Sequence, residues 1–428
     1  MLQRETFASR EVTVTDATLV TGSMGFDATV ASTANPGATL ASALPLSTTL
    51  TRTTVLPRVE MDGPIPRLVV EGKTRYEPTR RLGEGGLGEV LGARDNDIGR
   101  DVAVKRLRPE MTSPAALARF VEEVRTIGRL EHPNIIPIHD VGVDEHGDYY
   151  FVMKYIDGET LESIIDKLAA GDPLTHGRYG FERRVQIFVG LLEAVAFAHE
   201  KGIVHRDIKP ANVMVGQYGE VVLMDWGIAK QIRGATSTAS LADAPFEAQP
   251  VGPGTKRGAL FQTQAGQIIG TPAYMSPEQA RGEAVDERSD IYSLSILFHE
   301  LLCLKHPLAE KQTLEAMLHG VTSEPTPMAG TVSSPHQANV PMDLSWYVRK
   351  GVAKHPSNRY QSVNEMLDRL TRRAEGRIPI QCHITFMKRM NGEWSRTLDR
   401  HPFLITFVLF VMMVAMVAGG VSAVAHRG

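Results

Sequence analysis

The glycine-rich stretch Leu82-Gly-Glu-Gly-Gly-Leu-Gly-Glu-Val90 is the first place where residue type and spacing suggest chemistry. Gly83, Gly85 and Gly88 are spaced so that a backbone turn can pass close over phosphates with no Cβ in the way. Alone this signal is weak, because dinucleotide-binding turns use a similar pattern and many glycine turns bind nothing. Two further features discriminate. Val90 follows the last glycine where a continuing strand is needed, and a β-type run ending in Val102-Ala-Val-Lys105 comes next. A lysine that bridges phosphates on its long flexible stem needs a carboxylate to hold it. The helical pattern opened by Arg119-Phe-Val-Glu-Glu-Val124, ahead of Leu130-Glu-His-Pro-Asn-Ile135, offers Glu123, with adjacent Glu122 as its competitor.

The segment His205-Arg-Asp-Ile-Lys-Pro-Ala-Asn212 is more specific. It agrees with the pattern H-R-D-L-x-x-x-N and its common Lys-Pro filling except that Ile208 replaces Leu. Here, and from Tyr76 to Ala374, the chain resembles the eukaryotic-type Ser/Thr protein kinases of bacteria. The resemblance implies transfer of the γ-phosphoryl group of ATP to Ser or Thr of protein substrates, with Mg²⁺ (or Mn²⁺ in its place) as cofactor. Asp207 is then the group that accepts the proton of the attacking hydroxyl, and Lys209 the contact to the γ-phosphate that marks Ser/Thr specificity. Asn212 is expected to hold one metal ion. Asp225, in Met224-Asp-Trp-Gly227 where the family has D-F-G, is expected to hold another, since a hard cation takes carboxylate oxygen. Trp226 departs from the usual Phe but is also bulky and apolar, so its packing against the helix of Glu123 is expected to survive.

By the same resemblance, Leu82, Gly83, Glu84, Gly85, Gly86, Leu87 and Gly88 form the flap over ATP. Val90 and Ala103 cover one face of the adenine, Met214 covers the other, and Met153 stands at the back. Lys154-Tyr155-Ile156 is the hinge, with Lys where Glu is common. Ser276-Pro-Glu278 closes the activation segment, and Glu278 is expected to pair with Arg359. Asp290 is expected to anchor the backbone of the catalytic loop, and Thr271 to position Asp207 and Lys209. The segment between Lys230 and Gly270, rich in Thr, Ser, Ala and Gly, is expected to take autophosphorylation within 236–263, at Thr263 first, with Arg206 as a dock for the phosphate. Two other functions are compatible with parts of the pattern: a catalytically silent nucleotide-binding scaffold, and a dinucleotide-dependent dehydrogenase. The second leaves Lys105 and the Asp207 loop without a use.

These residues require strands early and helices later, so an α+β fold of two lobes is predicted: a small β-rich lobe over 76–155 and a larger helical lobe over 156–374. Helical patterns fall at 115–130 and 182–200. The apolar run 291–304 carries His299 and Glu300 and fits a buried helix better than a membrane span. Residues 1–75 hold few charges and sustain no apolar period, which predicts a flexible tail; no signal peptide is evident. Residues 375–402 read as a juxtamembrane linker. Residues 403–425 hold no charged residue and would span ~34 Å as a helix, enough for a hydrocarbon core of ~30 Å.

Basic residues cluster before this run (Lys388, Arg389, Arg396, Arg400), so a single-pass protein of the bacterial inner (cytoplasmic) membrane is predicted, with the kinase domain in the cytoplasm and lipid as a partner. With only His426, Arg427 and Gly428 beyond the run, no external sensor domain is expected. A formal net charge of −3 argues against nucleic acid as a partner. Cys303 and Cys382 stand far apart in no metal-type spacing, so neither a zinc site nor a disulfide framework is expected.

Overall fold

A computed structural model describes residues 54–56, 58–62, 65–69, 74–84, 88–107, 114–144, 147–226, 230–231, 272–400 and 413–414. A two-stranded ribbon, β1 (Arg58–Asp62) and β2 (Ile65–Val69), precedes the five-stranded antiparallel sheet of the first lobe. That sheet holds β3 (Tyr76–Glu84), β4 (Gly88–Asp95) and β5 (Arg100–Leu107), then, after helix α1 (Pro114–Gly128), β6 (Ile138–Val143) and β7 (Tyr149–Lys154), in the order β3-β4-β5-β7-β6.

The period of two in β5 separates its side chains. Val102 and Val104 belong with Ala93, Tyr150 and Val152 on one face. Ala103, Lys105 and Leu107 take the other, opposite Val90 of β4 and opposite Met153 and Phe151 of β7. Helix α1 packs on this second face. Ala116, Phe120, Glu123 and Ile127 recur at helical spacing and are all buried, Phe120 lying 5.4 Å ring to ring from Phe151.

The second lobe begins with β8 (Gly158–Thr160) and α2 (Leu161–Ala169), whose first turn is capped by the Thr160 side chain accepting from the Ser163 N–H. There follow α3 (Pro173–Arg178), α4 (Phe181–Glu200), β9 (Ile203–Val204), β10 (Val213–Gly216), β11 (Val221–Leu223) and β12 (Lys230–Gln231). Then come α5 (Pro277–Ala280), α6 (Glu287–Cys303), α7 (Leu314–Thr322), α8 (Met342–Gly351), α9 (Val363–Ala374) and α10 (His383–Arg400). Strand β10 lies between β11 and β8.

Helix α6 is buried from Ser289 to Cys303. Its polar members have partners: Glu300 accepts from the Tyr274 hydroxyl, and His299 lies 3.0 Å from the Pro327 carbonyl oxygen. Burial holds the His299 pKa down to about 4, so the ring is neutral. Both cysteines are free thiols.

Two stretches differ from the sequence expectation. The flexible tail predicted over 1–75 contains the β1–β2 ribbon. A two-stranded ribbon has only edge strands, where Pro66 can stand without a ladder N–H. Just before it, the Val55 and Leu56 N–H groups donate to Asp97 Oδ1 in the β4–β5 turn, at 2.7 and 3.0 Å. The linker predicted over 375–402 is largely helix α10, whose short-range apolar spacing is obscured in the sequence by interleaved basic residues. Among the described residues no helix is long and apolar enough to cross a membrane. The 403–425 run lies outside them except Met413 and Val414.

Candidate active site

Helix α1 carries Glu122 and Glu123 side by side, and its phase decides between them. Glu123 falls in the buried stripe with Phe120 and Ile127, and its side chain is 1% exposed; Glu122 is 65% exposed and lies 3.8 Å from Arg125. Lys105 Nζ stands 2.5 Å from Glu123 Oε1 and 3.4 Å from Asp225 Oδ1. Burial works against the charge on Lys105, but the two carboxylates outweigh it and hold the ammonium well above its ordinary pKa. Glu123 feels the same burial, which pushes its carboxyl up against the pull of Lys105. With the ammonium at 2.5 Å, we take the pair as charged on both members at neutral pH. The Lys105 ammonium also holds the carboxyl of Asp225, whose side chain is half-exposed, below the usual carboxylate range.

A second group of polar side chains lies on the turn between β9 and β10. Lys209 Nζ donates to Asp207 Oδ2 at 2.7 Å, and Asn212 Nδ2 donates to the Asp207 carbonyl at 2.9 Å and to Asp207 Oδ2 at 3.2 Å. The Met224 N–H donates to the Asn212 carbonyl at 2.8 Å, which joins this turn to the residue before Asp225. Arg206 and Asp225 both have left-handed backbones, with φ of 70° and 61°. Such strain persists only where neighbours impose it. At Arg206 the restraint is visible. Asp290 accepts from the His205 N–H at 2.8 Å and the Arg206 N–H at 2.9 Å, and Gln279 Nε2 donates to the Arg206 carbonyl at 2.9 Å.

Trp226 is 1% exposed, with its ring 4.5 Å from that of His205, and it shares the main core cluster with Ile127 of α1. Its indole N–H finds no acceptor among the described residues.

The sheet face that bears Lys105 also bears Val90 and Ala103, with Met153 opposite Ala103. Met214 lies across the cleft on β10, between Thr160 and Val222. Lys154 ends β7; Tyr155 is hydrogen-bonded to Arg80, and Ile156 is buried. Leu82 is exposed, Gly83 pairs with Val90, and Glu84 forms an ion pair with Arg81. At Gly88 an added Cβ would come within 2.1 Å of the Arg106 carbonyl oxygen, so only glycine fits there. Gly85, Gly86 and Leu87 lie outside the described residues, as do Gly227, Thr271 and the 236–263 stretch with Thr263.

Arg359 grips Glu278 with both terminal nitrogens, at 2.7 and 2.8 Å, and Ser289 Oγ adds a bond of 2.5 Å. Burial pushes the Glu278 carboxyl up, but these bonds outweigh it and hold the pKa down to about 2.

Residues 76–370 match the protein kinase domain family. The chain belongs to the protein kinases. The curated relatives it matches include the serine/threonine-protein kinase PknD of Protochlamydia amoebophila, 33% identical over 75% of this chain and 32% of that protein. A probable serine/threonine-protein kinase of Streptomyces coelicolor is 37% identical over 68% of this chain and 39% of its own length. Serine/threonine-protein kinase PknB of Mycolicibacterium smegmatis is 37% identical over 71% of this chain and 44% of its own. This kinase chain therefore spans between about a third and just under half of the length of these relatives. The solved PknI kinase domain of Mycobacterium tuberculosis, 23% identical, covers 70% of this chain and 96% of its own, with a TM-score of 0.47.

Some residues that shape the kinase cleft had no local signal in the sequence. His199 Nε2 lies 2.8 Å from Asp290 Oδ2, bracing the residue that holds the His205 and Arg206 backbone. Ser289 and Gln279 serve Glu278 and Arg206 in the same way. His199 and Gln279 act across 91 and 73 residues of chain, which no spacing rule reports.

Proposed function

We propose that this cleft transfers the γ-phosphoryl group of ATP to Ser or Thr hydroxyls of protein substrates. The observation that carries this reading is the convergence of Lys105, Glu123 and Asp225, brought from β5, α1 and the segment after β11. Phosphoryl transfer asks of a protein mainly positioning and charge stabilisation. An ammonium pinned by one buried carboxylate, beside a second carboxylate at the cleft, suits the neutralisation of nucleotide phosphates.

The donor set also fits Mg²⁺. The Asn212 amide nitrogen is committed to Asp207, which leaves its side-chain oxygen as an acceptor, and Asp225 is kept ionised by Lys105. Asn212 and Asp225 would hold the metal, which when bound would neutralise charge on the phosphate oxygens.

Asp207 Oδ2 is occupied by Lys209 and Asn212, and no described residue bonds Oδ1. Oδ1 is thus the oxygen we assign to the proton of the attacking hydroxyl, while Lys209 reaches the transferring phosphoryl. The sheet side chains Val90 and Ala103 and, opposite them, Met214 enclose the base. Leu82 to Gly88 pass over the phosphates, Met153 limits the back of the slot, and the backbone at Tyr155 and Ile156 is left to bond the adenine. A label-transfer assay with γ-³²P-ATP and a generic basic protein tests the assignment. Asp207→Asn is expected to lower the rate by about 10²–10⁴-fold; equal incorporation by both forms would sink it.

The remaining expectations belong to the same proposal. Autophosphorylation falls within 236–263, with Thr263 the leading site, and phosphosite mapping after incubation with ATP and Mg²⁺ checks it. The apolar run 403–425 anchors the chain in the bacterial cytoplasmic membrane, kinase domain inward. Full-length chain that stays in the membrane pellet through an alkaline carbonate wash is the expected result; release into the supernatant would remove the anchor.

A further inference from the structure

Helix α10 carries its apolar residues on the side that faces away from the protein. Thr385 is fully buried and Lys388 Nζ donates to Asp343 Oδ1 at 2.7 Å, so the polar flank of the helix is the one turned to the second lobe. Asp343 also accepts from Arg373 Nε at 2.6 Å and is 3% exposed, which fixes the helix to the body of the domain. The apolar side chains stand in solvent: Ile384 is 46% exposed, Phe386 44%, Met387 64%, Met390 47% and Trp394 61%. At 3.6 residues per turn these five share an arc of about 160°. A helix of a globular protein places that arc on the core. Here the arrangement is reversed.

What covers this face is indicated by the chain that follows. The helix is described as far as Arg400, and the uncharged run 403–425 begins three residues later. If that run crosses a bilayer, the end of α10 is held within a few residues of its surface. Between His383 and Pro402, Lys388 is bonded to Asp343 and Arg389 to Glu393, which leaves Arg396 and Arg400 against Asp399. An amphipathic helix with an aromatic and aliphatic face and a basic excess is suited to the headgroup boundary of an anionic leaflet.

We propose that α10 lies in the plane of the membrane, with Phe386, Met387, Met390 and Trp394 sunk into the acyl boundary. Through Asp343 it would then set the attitude of the kinase domain to the bilayer. This rests on the membrane reading of 403–425, and the two can fail separately.

The test uses the full chain in vesicles of phosphatidylcholine and phosphatidylglycerol, with acyl chains brominated near the headgroup or near the bilayer centre. The chain has three tryptophans, of which Trp226 is buried and Trp346 half-buried, so the difference from Trp394→Phe isolates Trp394. The expected result is stronger quenching of the Trp394 component by the shallow bromines. Loss of that quenching is expected in a Phe386→Glu, Met390→Glu double variant that still resists carbonate extraction. An unquenched Trp394 in a wild-type chain that also resists extraction overturns the proposal and leaves the anchor standing. An unquenched Trp394 whose emission moves to the blue with rising protein concentration would assign the face to a second copy, and overturns it equally. Release by carbonate is the separate failure of the anchor.

Discussion

At the scale of single residues, the site depends on charges kept in place by other charges. Lys105 stays protonated because Glu123 and Asp225 face it. Replacing it with Met removes the positive charge and leaves Glu123 buried without its partner. We expect Lys105→Met to lower phosphoryl transfer by at least about 10²-fold, on the scale of a misplaced reacting group. Circular dichroism and nucleotide titration check that the fold and residual binding persist. Trp226 makes the opposite kind of prediction. Its bulk fills the core beside His205, but its N–H has no acceptor among the described residues. Trp226→Phe gives up volume and also removes a buried, unsatisfied donor, which ordinarily costs about 1–3 kcal/mol. The two effects oppose, and a change in unfolding free energy within about 1.5 kcal/mol is expected in urea melts. The choice of Glu123 over Glu122 is a burial decision: three residues after Phe120 and four before Ile127 is the inner side of α1.

Between elements, the clamp of Arg359 on Glu278 joins the start of α5 to the loop before α9. Arg359 also donates to the Ala353, Lys354 and Arg288 carbonyls, so its loss would orphan several buried groups. Arg359→Ala is expected to cost about 3–5 kcal/mol in chemical denaturation. The pH dependence follows from the carboxyl. Its pKa falls from an ordinary 4.5 to about 2 in the folded protein, so its stabilisation is complete above the unfolded value. That stabilisation is lost as pH drops through 4.5 toward 2. Wild-type stability should fall across that window, and Arg359→Ala should show a flatter decline there in parallel melts. The turn from β3 to β4 offers a second test. Gly88→Ala would drive a Cβ into the Arg106 carbonyl, so β4 must shift against β5. A loss of about 1–3 kcal/mol in stability is expected, with weaker nucleotide binding by calorimetry.

For the molecule as a whole, the functional cleft and helix α10 are distinct features of one chain. Asp343 connects α10 to α9 through Lys388 and Arg373. Burial opposes its ionisation, but these two cations keep its carboxyl below the usual range, so the tie is charged at physiological pH. Much of this could be read in advance where chemistry demands a residue type at a fixed local spacing. The glycine turn, Lys105, Asp207, Lys209, Asn212 and Asp225 lie in short motifs, and helices α1 and α4 announce themselves by apolar period. The resemblance also supplied Asp290 and the Glu278–Arg359 pair, but not the side chains that brace them. His199 and Asp290, Ser289 and Glu278, and Gln279 and the Arg206 carbonyl meet only after α4, α5 and α6 have packed. The same holds for the β1–β2 ribbon, whose pairing is a backbone matter, and for α10. Its amphipathic composition was present in the sequence, but which face turns to the protein was decided by one buried carboxylate at Asp343. Local covalent order sets which groups are near one another along the chain, while long-range burial sets which of them become partners.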